Sequence, residues 1–130
     1  MLIPMPGCPV SIHGLDDDLL QVLRRLFPRS SSGEGEARIE ILSATETGLR
    51  LRLSPSPDLD SLFAIRDERI LVREDGCVRE VQTGFRFCLE GDELVAVGRP
   101  DILLSVIAFN LSLHVSASSA EPVLLVHGGS

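Results

Sequence analysis

Residues 101–115 read DILLSVIAFNLSLHV and residues 122–126 read PVLLV, and these two apolar stretches decide the fold. The first stretch is apolar on almost every side of a helix, which predicts a helix that is buried on most of its surface. The second is a short apolar run typical of a strand buried on both faces. Because such a strand needs hydrogen-bonding neighbours on both sides, we expect this chain to be the front part of a larger protein.

The sequence before residue 101 combines one amphipathic helix with short strands. Apolar residues at helical spacing predict a helix over residues 16–27, with Asp16-Asp17-Asp18 capping its start and Pro28 ending it. A metal site is the alternative for this acidic run, but consecutive aspartates on a helix point in different directions, so capping is favoured. We expect residues 1–8 to be a loose arm and residues 29–36 to be a flexible connector.

The middle of the chain has the pattern of an antiparallel sheet. Residues 9–13 are expected to form a short strand, and the alternating runs 37–43 and 48–53 predict a hairpin with one solvated face. Short runs within residues 62–97 are separated by turns such as Asp75-Gly76, which predicts a strand meander that includes strands at 62–65, 70–73 and 94–97.

We therefore predict a single α+β domain over residues 1–130, an antiparallel β-meander with two main helices, of which the second is apolar and packs on the sheet. The predicted core consists of apolar side chains from every element: Leu19, Leu23, Leu26, Ile39, Ile41, Leu51, Ile70, Val72, Phe87, Val95, Val106, Ile107, Phe109, Leu113, Leu124 and Val126.

Composition and charge exclude several classes of function. The net charge of −7 argues against binding to nucleic acid or to an anionic membrane surface, both of which need clustered basic residues. All twelve basic residues are arginine, so this chain offers no lysine for Schiff-base chemistry or for a phosphate loop. The apolar run 102–115 contains several polar residues and is short for a membrane span.

Three cysteines and three histidines are the remaining candidates for chemistry. No secretory signal precedes Cys8, Cys77 and Cys88, so we expect a cytoplasmic protein with reduced thiols, in which Cys77 and Cys88 are packing residues. His13, His114 and His127 show no metal-ligand spacing with each other or with the cysteines. A small enzyme or metal protein that uses these six residues is therefore the weakest of three hypotheses.

Charged side chains on the predicted hairpin and turns are expected to be solvated. Arg38, Arg50 and Arg52 would share the wet face of the hairpin with Glu40, where cross-strand ion pairs are favoured over an anion site. The acidic pairs of the meander all lie beside turns, where solvation is the ordinary explanation: Asp67/Glu68, Glu74/Asp75 and Asp92/Glu93.

The segment Val123-Leu124-Leu125-Val126-His127-Gly128 resembles the strand just upstream of the phosphate loop in HPr kinase/phosphorylase-like P-loop proteins. The upstream order is also similar to the region before the kinase core of such proteins: an early helix, a hairpin, a strand meander and a long apolar helix. The resemblance implies the N-terminal accessory region of an ATP-dependent serine kinase or phosphotransferase, inert on its own.

The same resemblance places the nucleotide site in a kinase core beyond Ser130. That core would supply the Walker A loop and the acidic residues that hold Mg²⁺, so ATP and Mg²⁺ would be its cofactors and this chain would need neither. His127 and Gly128 would lie at the edge of the nucleotide site, and no catalytic residue is assigned within this chain.

The alternative hypothesis is a free-standing acidic protein-interaction module. In this interpretation the apolar strand at residues 122–126 pairs with a protein partner or with its own copy, which would give a homo-oligomer.

Overall fold

The computed structural model describes residues 1–63 and 71–128, with the side chains of the last helix described up to Ser118. Within those residues the strands are β1 (Leu2–Ile3), β2 (Val10–His13), β3 (Ala37–Thr45), β4 (Gly48–Ser54), β5 (Leu71–Glu74), β6 (Cys77–Glu80), β7 (Arg86–Glu90) and β8 (Glu93–Val97). The helices are α1 (Asp17–Leu26), α2 (Leu59–Leu62) and α3 (Pro100–Gly128).

The strands form one eight-stranded sheet in the order β1-β2-β3-β4-β8-β7-β6-β5. Only β2 and β3 run parallel, and α1 connects them; every other neighbouring pair is antiparallel. After β4 the chain passes through α2 to β5 at the far edge and returns as a meander until β8 pairs with β4. The predicted α+β class, with an apolar helix packed on a mostly antiparallel sheet, is confirmed.

The first half of α3 forms the centre of the core. It contacts β2, β3 and β4 as well as α1 and α2, and Leu103, Ile107 and Leu111 are completely buried. Opposite them, the sheet presents side chains such as Ile39 and Leu51, which are also fully buried. Alternation along a strand explains this pattern, because every second residue of β3 and β4 points to the same face.

The turn between β5 and β6 follows directly from its sequence. Asp75 and Gly76 both have positive φ, at 51° and 76°. A two-residue hairpin whose central residues both have positive φ matches the twist of the flanking strands, and Asp-Gly is among the sequences that adopt it at low cost.

The helix and hairpin predictions are confirmed. Asp16 caps α1, because its Oδ1 accepts a hydrogen bond from the Leu19 N–H at 2.8 Å. The strands β3 and β4 pair in the expected hairpin. Several predicted core residues are buried, namely Leu23, Ile39, Leu51, Phe87, Val106 and Ile107, and two others pack against the core, Leu19 and Ile41.

Other predicted core residues do not lie in the core. Leu26 is 50% exposed at the end of α1. In β8 the prediction chose Val95, whereas the buried residues are its neighbours Leu94 and Ala96, which point to the α3 side. Val72, Phe109 and Leu113 are only half-buried. Ile70 and the side chains of Leu124 and Val126 lie outside what the structure describes.

The predicted final strand at residues 122–126 is wrong, because α3 continues through these residues to Gly128. A strand satisfies its backbone groups only by pairing with a neighbour, whereas a helix satisfies them internally. The helix continues even though Pro122 removes one N–H donor, which costs about 3 kcal/mol in a helix interior.

Two further expectations need correction. Leu62 belongs to α2 and not to a strand over residues 62–65, of which residues 64 and 65 lie outside the described part. The expected loose arm over residues 1–8 is packed: Ile3 is completely buried in β1, and a Cβ on Gly7 would lie 2.2 Å from the Ser112 carbonyl oxygen. The arm is held because it passes directly against the backbone of α3.

The expected connector over residues 29–36 has no regular helix or strand, although it is tied to the sheet. Ser31 pairs with Leu2 through two backbone hydrogen bonds, and the Glu34 carboxylate reaches Ser11 and His13.

By length and composition, the segment Pro100–Ser118 of α3 could cross a membrane, with a mean hydropathy of 1.4. More than half of this segment is buried within the protein, which is also how the core helix of a water-soluble domain is placed.

The packing of α3 can be tested by two matched substitutions on the same helix. Ile107→Ala removes a completely buried side chain and should lower the free energy of unfolding by about 2–5 kcal/mol. Ile102→Ala, at a residue 39% exposed, should lower it by less than about 1 kcal/mol. Urea unfolding followed by circular dichroism measures both values; equal losses would contradict this placement of α3.

Candidate functional site

The helical segment that follows the packed part of α3 contains both residues predicted from the sequence to lie at a binding site. Val115 is the last buried side chain described in α3, while Ala117 and Ser118 are exposed. We call residues 116–128 the α3 extension. His127 and Gly128 form its end, so they lie on a helix and not after a strand as predicted.

The sequence of the α3 extension contains a continuous apolar run. Its residues 122–126 read PVLLV, and Glu121 is its only formally charged residue. At 1.5 Å per residue, the 29 residues of α3 span about 43 Å, longer than the strands on which its first half packs. The extension is therefore the candidate for a binding surface.

The solvated face of the hairpin carries the predicted ion pairs. Arg50 Nη1 lies 2.9 Å from Glu93 Oε1 and 3.3 Å from Glu90 Oε1. Arg52 Nη1 lies 3.2 Å from Glu40 Oε1, and its Nε lies 3.2 Å from Asp92 Oδ2. These carboxylates raise the pKa of both guanidinium groups.

The ion pairs argue against the anion site considered for this face. An anion would have to displace the carboxylates that already hold Arg50 and Arg52. Arg38 is exposed on the same face.

The acidic pairs of the meander are explained in the same way where they are described. Glu74 accepts hydrogen bonds from Arg79, which lower the pKa of its carboxyl group, and Asp92 pairs with Arg52. Asp67 and Glu68 lie outside the described residues.

The histidines have separate surroundings. His13 Nε2 lies 3.2 Å from the Glu34 carboxylate, next to the connector. His114 lies near the start of α2, where the Ser61 N–H lowers the pKa of Asp58 and the charge of His114 adds to that shift. Across residues 1–63 and 71–118, no three His, Cys, Asp or Glu side chains are grouped to hold a metal ion.

The cysteines correct the expectation of reduced packing thiols. Cys77 and Cys88 form a disulfide between directly opposed positions of β6 and β7, with Cα atoms 4.4 Å apart. Cys8 is free and buried, with its Sγ 3.7 Å from the Ser112 carbonyl oxygen, and burial raises the pKa of its thiol. Cys8 therefore matches the packing role, and the other two do not.

A groove of about 470 Å³ lies where α1 and α3 begin, beside the turn of the β3–β4 hairpin. Asp16 in this groove is used as the helix cap, and Asp101 is only 8% exposed. Arg99 Nε lies 2.8 Å from Asp101 Oδ1, which accepts no hydrogen bond from any described residue, so the ion pair with Arg99 offsets part of the cost of burying this carboxylate. These groups stabilise two helix starts and do not form a catalytic arrangement.

Comparison with protein-family models gives no match for this sequence. Searches of curated proteins and of solved structures likewise give no significant match.

The cap of α2 gives a pH-dependent prediction. The folded-state pKa of Asp58 is lowered, chiefly by the hydrogen bond from the Ser61 N–H to its Oδ1. Its ionised form therefore stabilises the fold above the unfolded pKa of about 4, and this stability is lost as the pH falls through the folded pKa. Asp58→Asn should be less stable than the parent chain at pH 7, and the difference should shrink by pH 3. Urea unfolding at both pH values measures it; a constant difference would show that charge is not involved.

Proposed function

We propose that this chain is the N-terminal accessory domain of an ATP-dependent serine kinase or phosphotransferase similar to HPr kinase/phosphorylase, and that it contains no catalytic group of its own. The observation that carries the proposal is the α3 extension, an apolar segment that continues past the last described buried side chain of the domain and ends in His127-Gly128. In this proposal the extension is the connection to the nucleotide-binding core.

The order of elements supports the same proposal. An early helix, a hairpin, a meander and a long apolar helix follow one another as the resemblance implies. The conformation of residues 122–126 is consistent with it, because a strand-forming sequence without a neighbouring strand gains its hydrogen bonds by extending a helix. When the core supplies neighbouring strands, residues 122–126 should pair with them, and His127 and Gly128 would then lie beside the phosphate loop.

The first test of the kinase proposal is the coding sequence after the codon for Ser130. We expect an in-frame Walker A motif within about twenty residues, the length of one strand–turn unit. The product extended through that motif should bind Mg·ATP, measured by titration calorimetry, whereas residues 1–130 alone should not. An in-frame stop codon, or an extended product without nucleotide binding, would contradict the proposal.

The extended product also tests the placement of His127. His127→Ala should weaken Mg·ATP binding or slow phosphoryl transfer, because His127 would lie at the edge of the nucleotide site. His13→Ala is the matched control, since His13 pairs with Glu34 beside the connector and should leave both quantities unchanged. Equal effects of the two substitutions would remove His127 from the site.

A second candidate function is an acidic protein-interaction module in which two copies of the chain associate through their α3 extensions. The apolar sequence of residues 122–126 favours it, because the cores of interfaces between identical chains are rich in apolar side chains. The extension is helical, so the contact would be between helices and not the strand pairing expected from the sequence.

Sedimentation at several protein concentrations tests this self-association. Residues 1–130 should sediment as a dimer whose dissociation depends on concentration, and Leu124→Glu should give a monomer. Leu26→Glu, at a leucine that is 50% exposed at the end of α1 and outside the α3 extension, should leave the dimer intact. A monomer at every concentration would exclude self-association and leave the kinase proposal unaffected.

A further inference from the structure

The bonded cysteines lie on the face of the sheet opposite to α3. Phe87 is buried on the α3 side, and its neighbours Arg86 and Cys88 alternate to the other side, where Arg86 is exposed and Cys88 is half-buried. Cys88 is paired with Val95 on one side and with Cys77 on the other, and Cys77 is paired with Glu74. The disulfide therefore lies in a cross-strand row on the solvated face of the sheet.

The two sulfur atoms have different surroundings. Cys77 is only 8% exposed, whereas Cys88 is half-buried and so more accessible. Arg86 Nη2 lies 3.6 Å from Cys77 Sγ. A guanidinium group at this distance stabilises a thiolate, so Cys77 is the better leaving group and Cys88 is the sulfur that an external thiol can reach.

The strand pairing places the two cysteines opposite each other. Cys77 is the first residue of β6 and pairs with Glu74 of β5 and with Cys88 of β7, and the next residue, Val78, pairs with Phe87. A Cα separation of 4.4 Å is typical of directly opposed residues whose backbones do not bond to each other. Because opposed residues without a disulfide have the same separation, reduction should leave the thiols adjacent and ready to bond again.

We propose that Cys77 and Cys88 form a reversible redox site that exchanges with small thiols, for which glutathione is the probe. A glutathione thiolate attacks Cys88 Sγ and forms a mixed disulfide, and Cys77 leaves as a thiolate beside Arg86. A second glutathione thiolate then attacks the glutathione sulfur of the mixed disulfide, and oxidised glutathione and the Cys88 thiolate are released. Both thiolates take up protons from solvent to the extent that their pKa values dictate. In the two steps together, two glutathione molecules are oxidised for each disulfide reduced.

The test is a redox titration of the folded chain in glutathione buffers, followed by thiol trapping and mass spectrometry. Cleavage after arginine, which does not occur at Arg99 before Pro100, places the two cysteines in separate peptides, 74–79 and 87–130, so the bonded and reduced forms are resolved. We expect the pair to pass fully between the two forms in these buffers while circular dichroism remains unchanged. Buried Cys8 should stay unmodified and serves as an internal control.

Arg86→Gln tests the assignment of the leaving group. Loss of the guanidinium should disfavour the reduced pair by about two- to fivefold in the exchange equilibrium, the size expected of one surface charge interaction. Arg38→Gln, an exposed arginine in β3 on the same face, should not change the equilibrium. Equal behaviour of the two variants would overturn the role of Arg86. A pair that stays bonded until the chain unfolds, or that never oxidises, would overturn the redox site itself.

Discussion

The packing of α3 across the sheet is the constraint on which the rest of the structure depends. Leu103, Ile107 and Leu111 are completely buried against strands that are far apart in sequence, β2 at one side and β4 at the other. Burial of apolar surface at about 25 cal/mol per Å² is the dominant favourable contribution to such a core. The same contact orders the N-terminal residues, because Gly7 fits against Ser112 only without a side chain.

Backbone hydrogen bonding explains why the ends of the chain differ from expectation. Leu2 and Ile3 form a strand because β2 and Ser31 offer partners on both sides. Residues 122–126 have the sequence of a buried strand, yet they form a helix. The helix supplies backbone hydrogen-bond partners within itself, whereas a strand would need a neighbouring strand to supply them. Strand-forming residues specify a strand only where a neighbouring strand is available, which a local pattern cannot state.

Alternation in the sequence determined how well each element could be predicted. Polar and apolar residues alternate in the β3–β4 hairpin, so its buried face and its ion pairs could both be predicted. The run Leu94-Val95-Ala96-Val97 is apolar throughout, so nothing in it indicated that Leu94 and Ala96 face α3. Cys77 and Cys88 lie at equal distances from the middle of the β6–β7 hairpin, so their disulfide could in principle be predicted from the sequence. Such a prediction needs the pairing register of the two strands, which the sequence pattern does not state.

The charged side chains of the described hairpins and helix starts are held in ion pairs and helix caps. Arg50, Arg52 and Arg79 are each held by carboxylates, and Asp16 and Asp58 are used as helix caps. Groups committed to such pairs are poorly placed to transfer protons or to bind phosphate, since either role would first require breaking the pair. The apolar α3 extension and the Cys77–Cys88 pair take no part in this pairing. In the two proposals above, the extension attaches the domain to another protein surface and the cysteine pair exchanges with a small thiol.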